Sequence, residues 1–309
     1  MAPGSVRETQ QRPANNADEA PLYRPQMTQA GLAPTHPVTA VDEYGAAREV
    51  QIAGESPLTL YVDKREIVTL MTLGTHPEAL ALGYLRTQRF VERIEDIRAV
   101  QVSWEAEAVA VTTWHGVEDW DEKLKGRTVT TGCGQGTVFS RALDDLHRIR
   151  LPEVRLSQSG LYGLLQRIRR HNEIYKRAGA VHGCGLCRGE EILMFVEDVG
   201  RHNAADAIAG TMWLEHMPGA DKIFYTTGRL TSEIVMKVAQ MGIPVLISRS
   251  GVTHMGLKLA RELGVTMIAR TKGSHFLVFN GAERVLLDAK PKASAHSPDS
   301  AVVHSRLPD

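Results

Sequence analysis

The sequence predicts an α/β protein, with a C-terminal sheet covered by helices on both faces and a smaller α+β unit before it. Three observations carry that prediction. Beyond residue 178, continuous apolar runs of four or five residues alternate with helical runs closed by glycine, the pattern of a mostly parallel sheet buried on both faces. Between residues 57 and 113, apolar and polar residues alternate, as in strands with one wet face. A chain of 309 residues that is 43% apolar can bury a core large enough for both units.

The elements follow in order. Residues 1–44 hold six of the fourteen prolines and too few large apolar residues to offset ordering entropy, so a disordered tail is expected there and again over 290–309. The small unit spans 45–125. Leu58, Leu60 and Val62 form one arm of a hairpin, Asp63-Lys64-Arg65 turns the chain, and Ile67, Leu70 and Met71 return it. Pro77 and Glu78 suit a first helical turn, and Leu80, Leu82, Tyr84 and Leu85 are its apolar positions. Strands are expected at 99–104 and 108–113. A Gly-rich connector occupies 126–150.

The α/β unit spans 151–289. It opens with a helix through Leu161, Leu164, Leu165 and Ile168, which ends in Arg167, Arg169, Arg170 and His171. Those cations suit a helix C-terminus, and read equally as a solvated face or a docking surface. Strands are expected at 192–196, 223–226, 244–248, 265–269 and 276–279, and helices at 204–214, 232–241 and 254–263.

Thirty-six basic and 36 acidic residues cancel, so no net field points to nucleic acid or an anionic membrane. Three cysteines are too few for a disulfide scaffold. With no apolar leader in the first thirty residues and no run long enough to span a bilayer, a cytoplasmic protein with reduced thiols is expected.

Cys133 stands out. Glycines at 132, 134 and 136 leave little bulk around its sulfur and allow a large partner to approach, as a reactive thiol requires. Three strand-to-helix junctions hold further chemistry: Glu197 to Asn203, Thr226 to Ser232, and Ser248 to His254. Each combines Gly, Arg and a hydroxyl or amide side chain where a helix begins, and Gly228, Arg229 and Ser232 make one of them a competent anion cradle. Ligands of such sheets bind at the carboxyl ends of the strands. Between the last two strands, Arg270, Thr271, Lys272, Gly273, Ser274 and His275 could grip the far end of a long anionic ligand, or simply form an exposed turn. No P-loop or Gly-x-Gly-x-x-Gly pattern is present. Cys184-x-x-Cys187 suits zinc or a redox dithiol, with Cys133 and His182 able to complete a Cys₃His set if the fold gathers them, or two packing cysteines.

Glu197-Asp-Val-Gly-Arg-His-Asn203, Ser232 to Ser250, Ala81-Leu-Gly-Tyr-Leu85 and Gly126-Arg-Thr-x-x-Thr-Gly-Cys-Gly134 together resemble the FdhD/NarQ family, the formate dehydrogenase accessory sulfurtransferases. The match runs from about Leu58 to Phe279. The resemblance implies a cytidine-deaminase-like, three-layer C-terminal domain and a homodimer. It implies a sulfur carrier in which Cys133 accepts persulfide sulfur from a cysteine desulfurase. The sulfur then passes to the molybdenum cofactor, as bis-molybdopterin guanine dinucleotide, before insertion into the formate dehydrogenase catalytic subunit. Arg270 through His275 correspond to the cofactor-binding segment, with no resident metal. The family's second loop cysteine is here Gly136, so a disulfide role for the loop is not expected.

Overall fold

The structure, a computed structural model, describes residues 22–117 and 149–290, Trp120, and the backbone of residues 127–128 and 137–138. The N-terminal unit is a five-stranded sheet in the order β1-β6-β7-β4-β5. Its strands are β1 (Gln26–Met27), β4 (Ser56–Val62), β5 (Arg65–Thr72), β6 (Ile97–Ser103) and β7 (Ala108–Thr113). The strands β2 (Thr35–Val41) and β3 (Ala47–Ala53) form a separate two-stranded ribbon. The β4–β5 hairpin turns at Asp63 and Lys64, whose φ angles of 46° and 71° match the right-handed twist of paired strands. The Asp63 carboxylate accepts from Thr113 N at 2.9 Å and Thr113 Oγ1 at 2.7 Å, which fixes the turn beside β7.

The expected tail of residues 1–44 is contradicted from residue 22 onward. β1 pairs in parallel with β6, and Glu78 Oε1 accepts from Thr28 Oγ1 and Ala30 N, both at 2.8 Å. Tyr23 donates to Ile97 O at 2.6 Å, and Trp104 Nε1 donates to Ala30 O. These bonds reach residues 48 to 74 positions away, which local composition cannot reveal. The boundary placed at residue 45 falls in the β2–β3 turn. Of the other tail, 290–309, only Lys290 is described.

Helix α1 (Pro77–Thr87) is buried on nearly every side because it lies between the N-terminal sheet and a helix of the C-terminal unit. After the short pair β8 (Arg127–Thr128) and β9 (Thr137–Val138), the second unit contains β10 (Leu156–Ser157), α2 (Gln158–His171), α3 (Glu173–Ala178), β11 (His182–Arg188), β12 (Glu191–Asp198) and α4 (Arg201–Leu214). It continues through β13 (Ile223–Thr226), α5 (Ser232–Gln240), β14 (Val245–Ser248), α6 (His254–Leu263), β15 (Thr266–Lys272), β16 (His275–Asn280) and β17 (Val285–Leu286).

Its main sheet has the order β12-β11-β13-β14-β15-β16. Only β13, β14 and β15 run parallel, joined by the crossover helices α5 and α6. β11 is antiparallel to both neighbours, and β16 is antiparallel to β15. The sheet is therefore mixed rather than mostly parallel. The difference lies in β11, whose glycines conceal a strand and which turns directly into β12 through Gly189 at φ 56°.

Side chains alternate across this sheet as the strand period requires. Phe224, Leu246, Met267 and Ala269 face α4, α5 and α6, whereas Ile223, Tyr225, Val245, Ile247 and Ile268 face α2. Three layers result, and the first core runs without a break into the N-terminal unit. At the crossing of α1 and α4 the backbones touch. A Cβ on Gly83 would lie 1.7 Å from Asp206 O, and one on Gly210 1.9 Å from Ala79 O.

Candidate functional site

The loops after β13 and β14, and the end of β15, open a groove on the α2 side of the sheet. Two adjoining cavities of ≈ 320 and ≈ 380 Å³ share Asn172 and Arg249. The first is also lined by Tyr175, Val181, His182, Thr227 and Ser250. The second continues over Leu165, Arg169, Tyr225, Thr271, Lys272 and Gly273. No lining residue is a carboxylate, and Arg169, Arg249 and Lys272 supply positive charge. An elongated anion is what such a surface accommodates.

The walls are held by their own hydrogen bonds. Thr227 Oγ1 accepts from Gly183 N at 3.0 Å, and Thr227 N donates to Gly183 O at 2.9 Å. Ser250 N donates to Ser248 Oγ at 2.9 Å, Arg270 N donates to Ser250 O at 2.9 Å, and Thr271 Oγ1 donates to Ser248 O at 3.1 Å. Gly273 adopts φ 66°, which closes the β15–β16 turn. Burial pushes the Tyr225 phenol up to about 12, although Arg249 and Arg169 pull the other way, so it stays neutral. Burial lowers the His182 pKa, and Arg201, Arg229 and His202 lower it further.

The Glu197–Asn203 stretch fastens this site rather than lining it. Glu197, 6% exposed, accepts from Ile174 N and Tyr175 N, both at 2.9 Å, and so caps the six-residue α3 that carries Tyr175. Asp198 accepts from Thr72 Oγ1 at 2.5 Å, Leu73 N at 3.1 Å, and Gly200 N and Asn203 Nδ2 at 2.9 Å. Burial raises its pKa, and these donors oppose the rise. Buried His202 places Nε2 3.1 Å from Glu233 Oε2; burial lowers its pKa while Glu233 opposes.

Of the nine sequence-predicted binding residues, Thr271, Lys272 and Gly273 line the groove. Arg270, Ser274 and His275 belong to the same hairpin but are not among the lining residues. Gly228, Arg229 and Ser232 are not among the lining residues either, and a Cβ on Gly228 would meet Arg201 Cδ at 2.7 Å. Asn172 and Tyr175 escape sequence reasoning, and Arg169 was marked only as part of a basic helix end, since α2 and α3 reach the groove only through the tertiary fold. Thr227, Arg249 and Ser250 sit in junctions already marked by Gly, Arg and hydroxyls.

Cys133 lies outside the described residues; β8 and β9, paired through Arg127↔Val138 and Thr128↔Thr137, bracket its segment in sequence. Cys184 and Cys187 are described, and both are fully buried. Three residues apart in one strand, they face opposite sides of the sheet, Cys184 toward α4 and Cys187 toward α2. Burial raises each thiol to about 12. Of the readings left open for this C-x-x-C, burial on opposite faces of the sheet supports the packing one. Among the described residues no group of three or more His, Cys, Asp or Glu could hold a metal ion, and no helix is long and apolar enough to cross a membrane.

Known proteins resemble this chain in sequence and in fold. The model of the FdhD/NarQ family matches residues 53–286. The sulfur carrier protein FdhD of Listeria innocua is 30% identical over 249 residues, covering 79% of this chain and 95% of that protein. The protein of the same name from Wolinella succinogenes is 27% identical over 259 residues, covering 83% and 91%. A crystal structure from Desulfotalea psychrophila, described as a formate dehydrogenase accessory protein, superposes with a TM-score of 0.67 at 27% identity, covering 82% of this chain and 98% of that one.

Proposed function

The chain belongs to the FdhD/NarQ family, and from that membership we propose that it is a cytoplasmic sulfur carrier acting on the molybdenum cofactor destined for formate dehydrogenase. The observation that carries this reading is the carboxylate-free groove at the carboxyl ends of the parallel strands, with Arg169, Arg249 and Lys272 along it. The pyrophosphate and nucleotide arms of the cofactor are elongated anions of the kind this surface suits. Arg249 is shared by both halves and meets the phosphates; Thr227, Ser250 and Thr271 offer hydroxyls; Gly273 lets the backbone approach closely.

Cys133 performs the covalent step. Its thiolate attacks the outer sulfur of a cysteine desulfurase persulfide, a new S–S bond forms, the old one breaks, and the desulfurase cysteine leaves as thiolate. The outer sulfur then passes from Cys133 to the cofactor's molybdenum. A thiol reductant supplies the two electrons that convert sulfane sulfur to sulfide and return Cys133 to thiolate. Only one carrier cysteine is needed, so Gly136 in place of a second is no obstacle.

Incubation with a cysteine desulfurase and cysteine, followed by intact-protein mass spectrometry, tests this directly. A reducible gain of one sulfur atom on Cys133, absent in Cys133→Ser, is expected. Cofactor binding with no sulfur on Cys133 would reduce the protein to a non-covalent chaperone.

A further inference from the structure

We propose that the basic face made by the end of α2 and by α3 is the docking surface for an acidic segment of the client polypeptide that receives the cargo. This rests on the carrier reading and adds the place where the recipient sits.

Five arginines and lysines fall between residues 167 and 177, against one acidic residue, Glu173. Arg167 is engaged by Glu190 at 3.3 Å. Arg170, Lys176 and Arg177 are exposed. Lys176 Nζ donates to Arg170 O and Arg177 Nη2 to Thr35 Oγ1, both at 3.4 Å, so these contacts leave the positive charge uncompensated. The carboxylate beneath α3, Glu197, is buried and occupied by two backbone N–H groups. Tyr175 rises from the middle of this face, 48% exposed, and the combination of tyrosine with arginines is typical of interface anchors.

The face also adjoins the groove. Tyr175 and Arg169 belong to both, so a partner seated on α3 has one edge at the groove mouth. Cargo held by Arg249 and Lys272 would then pass to the recipient without crossing open solvent. A protein partner fits better than a nucleic acid, because 36 basic and 36 acidic residues leave the whole chain without the broad positive field on which polyanion binding depends. A local basic face on a neutral chain is instead complementary to a local acidic one.

The test compares the full chain with its Arg170→Glu/Lys176→Glu/Arg177→Glu variant and with the corresponding triple Gln variant. Binding to the purified apo catalytic subunit of formate dehydrogenase is followed at low and physiological salt, and binding of inorganic pyrophosphate is measured in parallel. Charge reversal should slow association with the subunit about tenfold or more and flatten its salt dependence, with the Gln variant in between. Pyrophosphate should still bind both variants at physiological salt, where screening limits the effect of charges outside the groove, and this binding also shows that the variants fold. Subunit binding that survives reversal, or that is competed away by RNA, would overturn the docking face while leaving the carrier reading intact. A wild-type chain that never binds the subunit would remove the docking face, while sulfur on Cys133 decides the carrier reading separately.

Discussion

Glu197 and Asp198 are neighbours in one strand, and the strand period sends their carboxylates to opposite faces of the sheet. One caps α3 beneath the groove; the other gathers the end of β5 and the start of α4. Replacing Glu197 with Gln puts an amide NH₂ against a backbone N–H. The expected result is a loss of about 1–3 kcal/mol in urea unfolding together with weaker pyrophosphate binding, because Tyr175 loses its support. Glu197→Gln with unchanged affinity would show that α3 keeps its place unaided. The cysteines yield a second residue-level prediction. Cys184 and Cys187, buried with thiols raised to about 12, should react with a thiol reagent only after denaturation, and Cys133 should react in the native protein. Three thiols titrating together without denaturant would contradict the packing of β11.

Between elements, the α1–α4 crossing leaves no space for a side chain. Gly83→Ala or Gly210→Ala places a methyl group within 2 Å of a carbonyl oxygen, so the helices must separate. Either change should cost about 3 kcal/mol or more, measured by chemical denaturation. Beside that crossing, Lys237 Nζ donates to both oxygens of Asp206 at 2.5 and 2.6 Å and to Thr87 Oγ1 at 3.2 Å. All three residues are buried. Lys237→Met removes only the cation, leaves a carboxylate without a counter-ion, and should cost about 3–5 kcal/mol, whereas removing the pair should cost much less. Elements with a dense apolar period and a terminal glycine were legible in the sequence: α6 lies where expected and ends on Gly264 in the left-handed conformation. β11 and the β2–β3 ribbon were not, because glycine-rich and polar strands take their order from partners distant in sequence.

For the molecule as a whole, the site follows the same division. Junctions at strand ends can be read from Gly, Arg and hydroxyl residues, but the opposite wall, Arg169 to Tyr175, belongs to helices whose approach is a property of the three-layer packing. Burial also sets the response to acid. His182 and His202 both have pKa values lowered below the ordinary 6.5. The unfolded chain therefore binds more protons just below pH 6.5, and stability should fall as pH drops through that region while staying flat above it. Denaturation midpoints between pH 5 and 8 check this; a midpoint that rises on acidification would mean that the histidines gain, rather than lose, favourable contacts when charged.

The small pair β10 and β17 bears on how the chain folds. Leu156↔Val285 and Ser157↔Leu286 are parallel partners separated by 129 positions, and they pair over two residues only, with Leu286 65% exposed. Asp288 adds to the seam by accepting from Ser159 N at 2.9 Å and Ser159 Oγ at 2.6 Å, yet closing so long a loop has a large entropic cost. It should zip shut after the sheet between its ends has formed, and open before that sheet does. Amide exchange at residues 285 and 286 thus runs ahead of the interior strands, marking where unravelling of the C-terminal unit begins.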